Sequence, residues 1–135
     1  MDIDNKIFVC YNEVVRRREV MFMCSENQLN RILTEVADTA KRVLGDKLRS
    51  VILYGSYARG DYDEQSDVDI MILTDLKPEE LSAYRAPFTR VCADLGLQYD
   101  LVVVATLQDT ETFEKYHKVL PFYQNVEREG IQVAV

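Results

Sequence analysis

The chain has 135 residues, enough for one domain with a sizeable core, and 47% of them are apolar, which excludes a disordered chain. Its 16 Lys and Arg stand against 23 Asp and Glu, a formal net charge of −7. So acidic a surface repels a phosphate backbone; a direct grip on nucleic acid is set aside, and a basic protein partner is easier to accommodate.

Residues 1–24 read as an N-terminal extension, with Ile3, Ile7, Phe8, Tyr11, Val14 and Val15 loosely helical in spacing and Arg16-Arg17-Arg18 as a solvated run. The domain proper is read as 25–135. Ser25 and Gln28 resemble a capping box, and Leu29, Ile32, Leu33, Val36, Ala40, Val43 and Leu44 form a helical stripe that stops at Gly45. Val51–Tyr54 is an apolar strand ending at Gly55. The acidic loop 61–66 leads to a second strand, Asp67–Leu73, in which Val68, Ile70 and Ile72 share one face while Met71 and Leu73 continue the other, so both faces are buried.

Pro78 opens a helix that Pro87 should kink or split and that Asp94-Leu95-Gly96 should end. Tyr99–Val104 reads as a third strand, residues 110–119 as a helix, and Pro121 as the start of another helix closed by Gly130, with Phe122 and Tyr123 read as core in preference to partner surface. Residues 131–135 form an edge strand or a docked tail. Together these elements give an α/β fold, a small β-sheet with helices packed on it. No stretch is long enough to span a bilayer, and Asp2, Asp4 and Lys6 interrupt any secretory core at the start. Cys10, Cys24 and Cys92 show no metal or redox spacing, as expected of reduced thiols in a cytoplasmic protein. His117, the single histidine, reads as a surface or packing residue.

The chemistry concentrates in residues 51–73. Asp67 and Asp69 lie two apart on a strand and so share a face, where their charges repel and are costly to bury. A divalent cation removes that cost, and an all-oxygen pair suits Mg²⁺ completed by substrate phosphates. Gly55 lets a phosphate approach the backbone, Ser56 adds a hydroxyl, Arg59 a charged donor fork, and Ser66 either a phosphate donor or a cap for its own loop. Asp100, opening an apolar run, is the candidate third carboxylate.

Gly55-Ser56, ten residues, then Asp67-Val68-Asp69 resembles the signature of the polymerase-beta-like nucleotidyltransferase superfamily. The fuller string Gly-Ser-Tyr-Ala-Arg-Gly…Ser-Asp-Val-Asp is similar to its minimal nucleotidyltransferase (MNT) branch, known as the antitoxin half of HEPN/MNT pairs. The resemblance covers about residues 26–133. It implies that fold, with a mixed sheet, and a third acid on a following strand, which favours Asp100. It implies two Mg²⁺ ions on Asp67, Asp69 and Asp100, ATP held by Gly55, Ser56, Arg59 and Ser66, and attack of a hydroxyl on the α-phosphorus with release of pyrophosphate. The implied partner is a HEPN-domain ribonuclease toxin, modified by AMP on a tyrosine within a hetero-oligomer. Two alternatives stand beside this reading: an antitoxin that only masks its toxin, and a transferase acting on a small aminoglycoside-like molecule.

Overall fold

A computed structural model describes residues 26–134. The extension 1–24, its arginine run and the Ser25 cap lie outside the described residues.

Helix α1 (Glu26–Leu44) buries Leu29, Ile32, Leu33, Val36, Ala37, Ala40 and Leu44, the stripe its spacing predicts. Lys41 and Arg42 occupy its last turn, where positive charge suits the helix dipole. A 3₁₀ segment, Gly45–Lys47, leads into strand β1 (Leu48–Tyr54), then the one-turn helix α2 (Ser56–Arg59) and strand β2 (Val68–Thr74). A 3₁₀ segment, Pro78–Tyr84, precedes helix α3 (Arg85–Tyr99), followed by strand β3 (Val103–Asp109), helices α4 (Thr110–Tyr116) and α5 (Pro121–Glu129), and strand β4 (Ile131–Val133).

The sheet order is β3-β2-β1-β4. Strand β1 runs antiparallel to β2 and β4, while β2 runs parallel to β3, so the sheet is mixed. Side-chain alternation sorts its two faces. On one, Val51, Leu53, Val68, Ile70, Ile72, Val103 and Leu107 pack with α1 and α3 in a single core. On the other, Ile52, Met71 and Leu73 pack against Val126 of α5, with Tyr54 and Phe113 at the margin. Strand β2 is therefore buried on both faces, as its uninterrupted apolar run requires. Its one buried hydroxyl is satisfied: Thr74 donates to the Lys47 carbonyl at 2.8 Å and accepts from the Leu76 N–H at 3.2 Å.

Pro87 splits the predicted helix rather than bending it. The α-helical stretch begins at Arg85, so the proline sits in the first turn, where a missing N–H costs no intrahelical bond. Gly96 does not end this helix, which continues to Tyr99 and closes when the Leu101 N–H donates to the Gly96 carbonyl at 3.1 Å. The third strand consequently starts at Val103 instead of Tyr99.

Candidate active site

The site lies at the mouth of the β1–β2 hairpin. Strand β1 ends at Tyr54, and Gly55 takes φ 79 and ψ −156 to start α2, a backbone that favours glycine. Its carbonyl accepts from the N–H groups of Ala58 and Arg59, and Gly60 closes the turn by donating to the Ser56 carbonyl at 2.8 Å. Tyr57 holds the turn from beneath. Its ring is buried and stacks on Tyr62 with centroids 4.3 Å apart, pinning the crossover loop to α2.

Asp69 enters on β2 directly across from Tyr54 and faces Gly55. A Cβ built on Gly55 would meet Asp69 Oδ2 at 2.5 Å. The glycine is thus required twice, by its conformation and by the carboxylate packed against its backbone. Asp67 is exposed and Asp69 half-buried. The Asp69 carboxyl is held above the usual carboxylate range, first by burial and then by the Asp67 charge, with Arg59 acting in the opposite sense. The Tyr54 phenol is likewise pushed up by burial, against a hydrogen bond with the Thr106 side chain, and the Asp69 charge adds to the rise.

Arg59 lies beside the pair but is already engaged, with Nε 3.2 Å from Asp61 Oδ2 and Nη1 3.4 Å from Glu129 Oε2 of α5. Ser66 caps its loop: its hydroxyl accepts from the Asp63 N–H at 2.9 Å and donates to Asp63 Oδ1, which also accepts from the Gln65 N–H. Of its two readings, the loop cap is the one the structure displays. Asp61, Asp63 and Glu64 are solvent-exposed, as the acidic loop predicts.

Asp100 departs from expectation. It is the left-handed residue closing α3, at φ 54 and ψ 50. Its sequence parity with Val102 and Val104 would set it on the Asp67–Asp69 face of a longer strand, but β3 begins only at Val103, with Val104 in register with Asp69. Among the described residues, no group of three or more His, Cys, Asp or Glu side chains is gathered to hold a metal ion. The structure brings together Gly55, Ser56, Arg59, Asp67 and Asp69, and leaves Asp100 at a helix end. Since left-handed backbone costs an aspartate more than a glycine, Asp100→Gly should raise stability by about 0.5 kcal/mol, read from the urea midpoint.

Three neighbours escape the sequence reading. Tyr54 was detectable, because an antiparallel pairing of the two strands around the turn sets it opposite an aspartate. Glu129 and Phe122, both from α5, carry no local signal. A surface groove of about 660 Å³ between α3 and the outer edge of β3 includes Val104 but neither aspartate.

The Gly55 turn packs on the Asp69 carboxylate, and Asp67 lies just before the same strand. Residues 29–131 match the model of the nucleotidyltransferase domain, and the chain belongs to that family of enzymes. Two Methanocaldococcus jannaschii proteins named as candidate protein adenylyltransferases are similar to it. One is 35% identical over 76% of this chain and 95% of its own length, the other 34% identical over 73% and 90%. Among solved structures, a candidate nucleotidyltransferase from Sulfolobus solfataricus is 16% identical at a TM-score of 0.48, covering 98% of this chain and 89% of that one. A toxin–antitoxin with AMP-PNP is 22% identical at 0.45, covering 73% and 69%. Likenesses this loose add nothing to the assignment. No described helix is long and apolar enough to cross a membrane.

Proposed function

We propose that the chain transfers AMP from ATP to a hydroxyl of a partner protein, and that the partner is a HEPN-domain ribonuclease toxin modified on a tyrosine. The observation that carries the reading is the apposition of the Gly55 backbone and the Asp69 carboxylate, with Asp67 just ahead of the same strand. The two relatives named as candidate protein adenylyltransferases support a protein acceptor. The MNT-like motif supports the toxin, and the exposure of Asp67 suits an acceptor presented by another macromolecule. A cytoplasmic setting belongs to the same reading, and Cys92, a free buried thiol, accords with it.

The donor set fits a divalent cation. Asp67 and Asp69 offer hard oxygens, and the charge that raises Asp69 is charge a cation would offset. These two residues would hold Mg²⁺, which when bound neutralises phosphate charge and acidifies a hydroxyl. Ser56 would donate its hydroxyl to the phosphates, and the absence of a side chain at Gly55 lets them reach the backbone. Arg59 would exchange Asp61 and Glu129 for phosphate oxygens; both present partners form exposed pairs, the easily displaced kind. A bond forms from the acceptor oxygen to the α-phosphorus, the bond from that phosphorus to the bridging oxygen breaks, pyrophosphate departs, and the hydroxyl proton is released.

The test is incubation with ATP, Mg²⁺ and the HEPN protein, read by intact mass. The expected result is a gain of one AMP on the partner, localised to tyrosine by fragmentation. An unmodified partner that is nonetheless silenced, equally well by an Asp67→Asn/Asp69→Asn chain, would establish steric masking instead.

A further inference from the structure

Phe122 is an aromatic residue that its helix does not use as an anchor. Val126 fastens α5 to the sheet at 2% exposure, whereas Phe122, read from sequence as core, keeps 46% of its surface in solvent. Its ring is not adrift. It stands edge-on to Tyr54, with centroids 5.8 Å apart and planes at 87°. Tyr54 immediately precedes Gly55 and pairs across the sheet with Asp69, whose other neighbour, Val104, is 37% exposed. The half-buried carboxylate is thus bordered by Tyr54 and Val104, with an open phenyl ring against Tyr54.

Phosphate oxygens want charged or N–H donors, and such a wall offers them little beyond the Tyr54 hydroxyl, which already bonds with the Thr106 side chain. What it does suit is a flat, weakly hydrated ring covered on one face. The phosphates have Ser56 and Arg59 on the turn, so the remainder of a nucleotide held at Asp69 has to find its surface elsewhere, within a nucleotide's length of that carboxylate. We propose that Phe122, backed by Tyr54, is the stacking surface for the nucleobase of the triphosphate substrate. This rests on the nucleotidyltransferase reading of the same site. Recognition by stacking favours purines, which present the larger face, and separates ATP from GTP only weakly.

Calorimetric titration in Mg²⁺, using ATP and inorganic tripolyphosphate as separate ligands, tests the proposal. Phe122→Ala should bind ATP about tenfold more weakly, the loss of one stacking contact, while tripolyphosphate affinity stays within about twofold. Phe122→Trp should retain ATP affinity. Phe122→Leu, which keeps apolar volume but no ring, should behave like the alanine variant, so a loss common to both is not a folding defect. An alanine variant that binds ATP as tightly as the native chain overturns the proposal. So does one that binds ATP normally and fails only in transfer to the protein acceptor, because the ring would then serve the acceptor. A native chain that binds neither ligand is a different failure: it removes the nucleotide reading of the site, and the stacking surface with it.

Discussion

Gly55→Ala should lower nucleotidyl transfer by about 100-fold or more and cost about 1–3 kcal/mol of stability. Both losses come from one added methyl. At φ 79 an alanine is strained whatever surrounds it, and its Cβ would stand 2.5 Å from Asp69 Oδ2, well inside contact distance. Relief requires Asp69 to swing off the turn or β1 to part from β2 at the Tyr54–Asp69 pair. The first displaces the proposed cation ligand and the second opens the proposed phosphate turn; chemistry that depends on alignment loses about two orders of magnitude per ångström of such error. Urea unfolding reads the stability change, and single-turnover transfer under saturating ATP reads the chemical step. A variant with native turnover would show that the turn and the carboxylate do not act together.

Asp69→Asn should separate stability from activity. Transfer should fall at least about 10³-fold, because a neutral amide is a poor partner for the cation. Folding without divalent cations should instead improve at neutral pH, by up to about 1 kcal/mol. The sign follows from the Asp69 carboxyl, whose folded value lies above its ordinary one, so that ionisation works against the fold. The native penalty is complete above the raised value and shrinks as pH falls through it. It is gone once the pH is below the ordinary aspartate value, where folded and unfolded chains are both protonated. The advantage of the asparagine chain should follow the same course, largest at pH 7 and absent near pH 3 in paired urea titrations. Adding Mg²⁺ and a non-hydrolysable ATP analogue should reverse the order, since ligand at 100 times its Kd contributes about 2.7 kcal/mol to a chain that binds it. Equal stability of the two chains at pH 7 without metal would contradict the penalty inferred for ionised Asp69 from its burial and from the Asp67 charge.

What the sequence reveals here is local and periodic. The stripe from Leu29 to Leu44 is continuous, and α1 forms where it predicts. The alternation in Val68–Leu73 gives both buried faces of β2, and the Gly55-Ser56 spacing to Asp67 and Asp69 gives the site's nucleus. Asp100 shows where that reading fails. An aspartate before Leu-Val-Val-Val looks like a strand entrance, but a helix tolerates an internal glycine, and Gly96 lets Leu101 fold back onto its carbonyl. The strand start therefore moves to Val103, and Asp100 closes the helix instead of opening the strand. The aromatic and acidic residues of α5 were unreadable for another reason. Phe122 meets Tyr54, and Glu129 meets Arg59, only because β4 returns the chain antiparallel to β1. No spacing along the chain encodes that return.

The placement of Asp69 on β2, with Asp67 just before it, also safeguards assembly. Strand pairing repeats every two residues, so a slip of one would turn Val68 and Ile70 outward and drive Asp67 and Asp69 beneath α1 and α3, into a layer built from Ile32, Val36, Phe88 and Leu95. That layer is apolar and offers them no partner charge. The two charges that equip the molecule for its chemistry thus proofread its folding, because a misthreaded sheet would be rejected by the residues that make the correct one useful.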